Sequence, residues 1–304
     1  MAKPIVIFGA TGLLGTHLAR YLAEQGRLPV AVVHNRKVPS PPGVPVYKSS
    51  IAAAEAVNKT LQRYHPSLVI NCAAYTDVDG CEADPDRATK TNTHGAENIA
   101  HAAAELGIPL VHISTDYVFD GRTGPYDETA HPHPINVYGR TKHNAETLVR
   151  KISPNALIIR AASFIGRGPE GHPCFAEQMA KTLQAGKRLL APIDQVANVT
   201  DVPALCAAIL TAADRKIGEI LHLGSRELIS RYDLAILLAE VFGLNQALIE
   251  PVMYTDLQRA ANRPLNGGLI VRQAEKALGF SFPAPRQTIE NLKRALGAGD
   301  NGLP

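Results

Sequence analysis

A chain of 304 residues, 45% hydrophobic and 19% charged, is long enough to bury a substantial core as one large domain or two. Its 31 basic and 28 acidic side chains leave a formal net charge of +3 with no run of like charges, which excludes the basic tract of a nucleic-acid or anionic-membrane binder. No apolar run approaches the ~18 residues of a membrane span, no basic leader precedes the first apolar segment, and Cys72, Cys81, Cys174 and Cys206 form no CxxC pair, so reduced thiols in a cytoplasmic protein are expected.

From Pro4 to about residue 160, short β-rich runs alternate with helical stretches. PIVIFG is followed by LLGTHLARYLAEQG, PVAVVH, an Ala-rich segment and SLVINCA; TNTHGAENIAHAAAELG, PLVHIST, a helix carrying VYGRTKHNAETLVRK, and ALIIRAA complete the series. This spacing predicts right-handed βαβ units, and hence an α/β fold with a doubly wound parallel sheet of the Rossmann kind. Most of the strands lack polar alternation, as strands buried on both faces do. The expected division is a dinucleotide-binding domain over 1–160 and a smaller, partly helical substrate lobe over 161–296. Segments such as TDVPALCAAILTAAD should return from that lobe to pack on the first domain. The tail GAGDNGLP, 297–304, offers nothing to bury and reads as disordered.

Gly9-Ala10-Thr11-Gly12-Leu13-Leu14-Gly15 follows the first strand directly and opens an amphipathic helix. There the backbone must turn sharply, approach a pyrophosphate without a Cβ in the way, and present free N–H groups at the positive end of the helix. The spacing is GxxGxxG and not the commoner GxGxxG; the same residues also fit a strand-to-helix turn without a ligand. After the second strand stand His34, Asn35, Arg36 and Lys37, where an acidic residue would accept bonds from the ribose 2′-hydroxyl of NAD. The basic pair suits the 2′-phosphate of NADP, or else it is a solvated loop.

Tyr138 and Lys142 lie four residues apart on a predicted helix and therefore share a face. Alone the pair means little, but it follows a nucleotide loop and the strand-to-loop segment VHISTDYVFDG. Reducing a ketone needs a hydride at carbon and a proton at oxygen, and a tyrosine with an ordinary pKa near 10 is a reluctant proton carrier at neutral pH. A lysine cation and an oxidised nicotinamide would stabilise the phenolate; a drop of roughly three units corresponds to about 4 kcal/mol. Thr115, at the carboxyl end of a sheet strand, can hold the carbonyl oxygen.

GATGLLG, NCAAYTDVD, TNTHGAENIA, STDYVFDG and YGRTK occur in the order seen in extended short-chain dehydrogenases. STDYVFDG with INVYGRTK resembles the dTDP-4-dehydrorhamnose reductase family, and the likeness continues through DQVANVTDVPAL and NRPLNGGL over nearly the whole chain. The resemblance implies reduction of a dTDP-linked 4-keto-6-deoxy sugar by NADPH, with NADH allowed. It makes Tyr138 the proton donor, gives Lys142 the tuning of that tyrosine and a bond to the nicotinamide ribose, and sets Thr115 on the substrate oxygen. It also implies a cofactor lined by Ser50, Ile51, Ala73, Ala74 and Tyr75, and a substrate faced by Thr76, Val78, Asp116, Tyr117, Phe164 and Arg263. Asn92 would support the lysine or a relay water, although it reads equally as a helix N-terminal residue.

Several positions depart from that pattern. Phe164 stands where the family commonly has a tryptophan, Ser50 where an acidic residue often holds the adenine, and His17 where a glutamate helps bind Mg²⁺ between subunits in some members. A homodimer stays open, but a metal-bridged one is not expected. His131, His133 and His143 include a proline-locked HPHP loop without ligand spacing, so no metal is expected. Two other readings remain. One is the same chemistry on another small ketone of a biosynthetic pathway. The other is a non-catalytic NADP-binding subunit, because the regulatory subunit of methionine adenosyltransferase resembles the same family.

Overall fold

The computed structural model describes residues 2–34 and 43–297. Strand β1 (Ile5–Phe8), apolar and buried at every position, runs straight into the glycine turn that opens helix α1 (Leu13–Glu24). Strands β2 (Pro29–Val33) and β3 (Val46–Lys48), helix α2 (Ala54–Tyr64) and strand β4 (Leu68–Asn71) follow. Two short helices, α3 (Val78–Ala83) and α4 (Pro85–Ala88), lead through a π-helical turn over Thr89–His94 into α5 (Gly95–Glu105). Strand β5 (Leu110–Thr115), helix α6 (Val137–Ile152) and strand β6 (Leu157–Ala161) complete the regular alternation.

Beyond β6 come β7 (Phe164–Ile165), α7 (Phe175–Gln184), β8 (Leu189–Pro192), β9 (Val196–Asn198), β10 (Thr200–Asp201) and α8 (Val202–Asp214). Strands β11 (Ile220–Leu223) and β12 (Leu228–Ser230), helix α9 (Arg231–Phe242), strand β13 (Ile249–Val252) and helices α10 (Arg272–Leu278) and α11 (Pro285–Gly297) finish the described chain.

Seven strands form one parallel sheet in the order β11-β6-β5-β4-β1-β2-β3. The chain winds outward from β1 in one direction and from β4 in the other. This leaves a crevice at their carboxyl ends, where ligands of such sheets bind. Side chains alternate between faces: Ile5, Ile7, Ile70 and Ile159 pack toward α1 and α8, whereas Val6, Phe8 and Val69 meet α2, α5 and α6. Helices α7, α9 and α11 enclose a third core. The later chain also serves the first half of the molecule. Asp201 caps α8 by accepting the Ala204 N–H at 2.9 Å, α8 packs in one core with α1, and β11 is the strand beside β6. Among the described residues no helix is long and apolar enough to cross a membrane.

Candidate active site

A cleft of about 1020 Å³ opens across the carboxyl ends of the central strands. At its base Gly9 has φ +78°, and a Cβ there would lie 2.6 Å from the Ala73 nitrogen. The position therefore admits glycine alone. Gly15 is closed by the Gly9 carbonyl, so these two glycines serve strand-to-helix packing. Gly12 is the open one, its Cβ position meeting only the Gly9 oxygen at 3.4 Å. It is the N-cap of α1 and no side chain caps that helix, which leaves first-turn N–H groups available to an anion. Ile51 borders the same cleft; Gly95 makes room for its side chain, and Asn98 donates to its carbonyl at 2.9 Å.

Strand β5 delivers Thr115 to the edge of the sheet. Its hydroxyl donates to Asp116 Oδ1 at 3.1 Å, accepts the Tyr117 N–H at 3.2 Å and hydrogen-bonds the Tyr138 phenol. Tyr138 is held by the start of α6. Asn136 accepts the Gly139 N–H at 2.7 Å and donates to the Asn262 carbonyl at 2.7 Å. The Tyr117 ring meets the Tyr138 ring edge-on at 5.8 Å. Desolvation raises the Tyr138 phenol above its ordinary value, outweighing the Thr115 bond. Lys142 Nζ lies 2.6 Å from the Ile113 carbonyl. Burial also lifts the Asp116 carboxyl to about 7, against the pull of the Thr115 bond and the Arg231 guanidinium.

Lys142 is buried and belongs to a polar layer beneath α6. Its Nζ lies 3.3 Å from His112 Nε2, and His112 Nδ1 lies 3.1 Å from Asn71 Nδ2. One turn further along α6, Glu146 accepts from Arg160 Nη2 at 2.6 Å, from Arg160 Nε at 2.9 Å and from the Ser114 hydroxyl. Arg160 Nη1 lies 3.4 Å from His222 Nε2. The strand register pairs Asn71 with His112, Ser114 with Arg160, and Arg160 with His222. A buried polar stripe thus crosses four strands of an otherwise apolar sheet. Burial lowers Lys142 to about 8. For Glu146 burial acts upward, but its hydrogen bonds, those from Arg160 and Ser114 among them, bring it down to about 2.

The cleft wall brings together most of the residues singled out in the sequence. Gly9, Thr11, Gly12, Leu13, Leu14, Gly15, Ser50 and Ile51 line one part of it. Ala73, Ala74, Tyr75, Thr76, Val78, Thr115, Asp116, Tyr117, Tyr138, Lys142 and Phe164 line the rest. Two residues fall elsewhere. Arg263 is turned onto Asp79, with contacts of 2.5 and 2.8 Å, and this guanidinium holds the Asp79 carboxyl down to about 2. Asn92 neither bonds the lysine nor starts a helix. It lies in the π-helical turn, brackets the Tyr75 backbone at 2.7 and 3.1 Å, and donates to Thr141 at 3.0 Å, tying the Ala73–Tyr75 segment to α6. Asn35, Arg36 and Lys37 lie outside the described residues.

Sequence reasoning missed part of the wall. Arg231, the first residue of α9, lines the cleft, lies over the Phe175 ring at 4.6 Å and donates to Ser163 at 2.9 Å. Nothing local marked it. The polar stripe did leave a signal: Asn71, His112 and Arg160 interrupt the apolar runs LVIN, LVHIST and LIIRA, and a polar residue in a strand buried on both faces must find a partner.

The family model described as RmlD substrate binding domain matches residues 2–297. The chain is 36% identical over 293 residues to a probable low-salt glycan biosynthesis reductase, Agl14, of Haloferax volcanii, covering 95% of this chain and 97% of that one. It is 34% identical over 278 residues to a dTDP-4-dehydrorhamnose reductase of Mycobacterium tuberculosis, covering 90% and 86%. Among solved structures, the dTDP-4-dehydrorhamnose reductase of Bacillus anthracis in complex with NADP superposes with a TM-score of 0.85 at 26% identity, covering 97% of this chain and 99% of that one.

Proposed function

The chain belongs to the RmlD substrate binding domain family, and from that premise we propose that it reduces the 4-keto group of a nucleotide-activated 6-deoxy sugar, with NADPH as hydride donor. The observation that carries this reading is the meeting of Thr115, Tyr138 and Lys142 in one cleft with the uncapped start of α1. The residues suit a dinucleotide. Gly12 leaves the backbone approachable, the first-turn N–H groups of α1 suit a pyrophosphate, and Ile51, Ala73 and Ala74 offer apolar walls to flat rings. Residues up to about 160 hold the cofactor, and the later lobe contributes mainly to the sugar site.

When bound, a reduced nicotinamide supplies the hydride. The chain's own residues supply the proton and the orientation. The raised Tyr138 phenol stays protonated at neutral pH and gives its proton from Oη to the carbonyl oxygen. Thr115 hydrogen-bonds that oxygen and fixes its direction. Lys142, one turn along α6, would hold the ribose and, as the ammonium, balance the phenolate that remains. Asp116, Tyr117 and Phe164 wall the sugar.

Purified protein given a dTDP-4-keto-6-deoxyhexose should oxidise NADPH, and Tyr138→Phe should lower kcat by about 10²–10⁴. Undiminished turnover in the variant would remove the phenol from the mechanism. Turnover of other ketones alone would move the chain to a different substrate class, and tight NADP binding with no turnover at all would make it a binding subunit.

A further inference from the structure

The surroundings of Lys142 contain a hydrogen-bond arrangement that carbonyl reduction does not by itself require. Asn71 Oδ1 accepts the Ala73 N–H at 3.1 Å, which orients the amide so that Nδ2 is the atom facing His112 Nδ1. An amide nitrogen donates, so Nδ1 must accept. A neutral imidazole has one donor and one acceptor, which places the ring proton on Nε2. That N–H faces Lys142 Nζ at 3.3 Å, while Nζ also lies 2.6 Å from the Ile113 carbonyl. An ammonium has three N–H groups and no lone pair, and would oppose the Nε2–H. A free amine donates to Ile113 and accepts from His112, leaving every group satisfied.

We propose that Asn71 and His112 form a tautomer lock that disfavours the ammonium of Lys142 in the resting protein, so that they are positioning residues setting the charge of the lysine. A ligand that offers oxygen acceptors in place of His112, as a ribose diol does, then favours the ammonium, with one proton taken up from solvent. The lock stands on the hydrogen-bond geometry; its consequence for turnover rests on the reductase reading.

The other titratable groups facing Lys142 are Glu146, Cys72 and Tyr138. Glu146, on α6, is already engaged by Arg160 and Ser114. The Cys72 thiol after β4 is pushed up to about 12 by burial and carries no charge, and Tyr138, one turn before on α6, is a neutral phenol. Glu146 still favours the ammonium through space, an influence that burial outweighs. Desolvation takes Lys142 down to about 8, so the free amine is the major form only above that pH, and takes His112 well below the ordinary imidazole value.

Nitrogen NMR of histidine-labelled protein without ligands tests the lock directly, with His112 assigned by the signal lost in His112→Gln. The expected result, from about pH 6 to 9, is a bare Nδ1 and a protonated Nε2. A proton on Nδ1, or an imidazolium, would overturn the proposal. In Asn71→Asp the carboxylate can accept both the Ala73 N–H and an Nδ1–H, so the ring proton should move to Nδ1 and Nε2 should accept from the ammonium. The alkaline limb of kcat/KM for NADPH should then rise by about one pH unit or more. A tautomer that moves while the pH profile stays in place would also overturn the role assigned to the pair. Absence of turnover in the parent protein would count against the reductase reading and leave the NMR result standing.

Discussion

At the scale of single residues, Asp116 carries a pH dependence whose sign can be worked out. Burial lifts its carboxyl to about 7, whereas an unfolded aspartate titrates near 4. Between roughly pH 4 and 7 the folded protein therefore holds a proton that the unfolded chain has lost, and stability falls as pH rises through that window. The loss is complete above about 7. Asp116→Asn removes the effect, so between about pH 4 and pH 8 the parent protein should lose about 2–4 kcal/mol relative to the variant in denaturant melts. Parallel curves would return Asp116 to an ordinary carboxylate. On the proposed reading, cofactor choice turns on Arg36, with Lys37 able to share its role. A guanidinium bonding a phosphate contributes about 1.5–3 kcal/mol per hydrogen bond. Arg36→Ala should then raise KM for NADPH about tenfold and leave that for NADH nearly unchanged; equal effects on both cofactors would end the case for the 2′-phosphate.

Among the elements, α6 unites the chemistry with its support. Tyr138, Lys142 and Glu146 recur every four residues and so share one face, and Glu146 closes a buried ion pair with Arg160 on β6, both partners being under 5% exposed. Desolvation offsets much of the attraction within such a pair, so its presence is weak evidence of stabilisation. Its rupture is another matter. Arg160→Met leaves the Glu146 carboxylate buried without a cation and should destabilise the protein by about 3–5 kcal/mol, whereas replacing both partners with apolar residues should recover most of that. Equilibrium unfolding of the single and double variants measures the difference. Equal losses in the two would mean that the pair acts only through packing.

For the whole molecule, the question is whether the nucleotide half stands alone. The core on the α1 side of the sheet includes Val202, Leu205 and Ile209 of α8 together with Leu221 and Leu223 of β11. A fragment ending at residue 160 would expose the apolar face that α8 covers and leave β6 as an unpaired edge. It should show no cooperative thermal transition and weak near-ultraviolet dichroism. A sharp transition in that fragment would make the first half an autonomous domain.

Much of this was legible in the residues taken in order. Continuous apolar strands at helix-length spacing specify a parallel sheet, because both faces of each strand must be covered. A glycine turn between strand and helix marks the crevice, and a tyrosine four residues before a lysine lies on one helical face whatever surrounds it. These are local properties, set by backbone geometry and side-chain period. STDYVFDG with YGRTK carried the resemblance to the family, and the structure brings residues of both segments to the cleft. What only the tertiary structure decided depends on cross-strand register and on burial. Register aligned Asn71, His112, Ser114, Arg160 and His222 into one polar stripe. The path of the later chain brought Arg231 into the cleft and took Arg263 to Asp79. Desolvation raises the Tyr138 phenol, and Lys142 Nζ points to the Ile113 carbonyl. Spacing along a chain carries neither quantity; both belong to the packed environment.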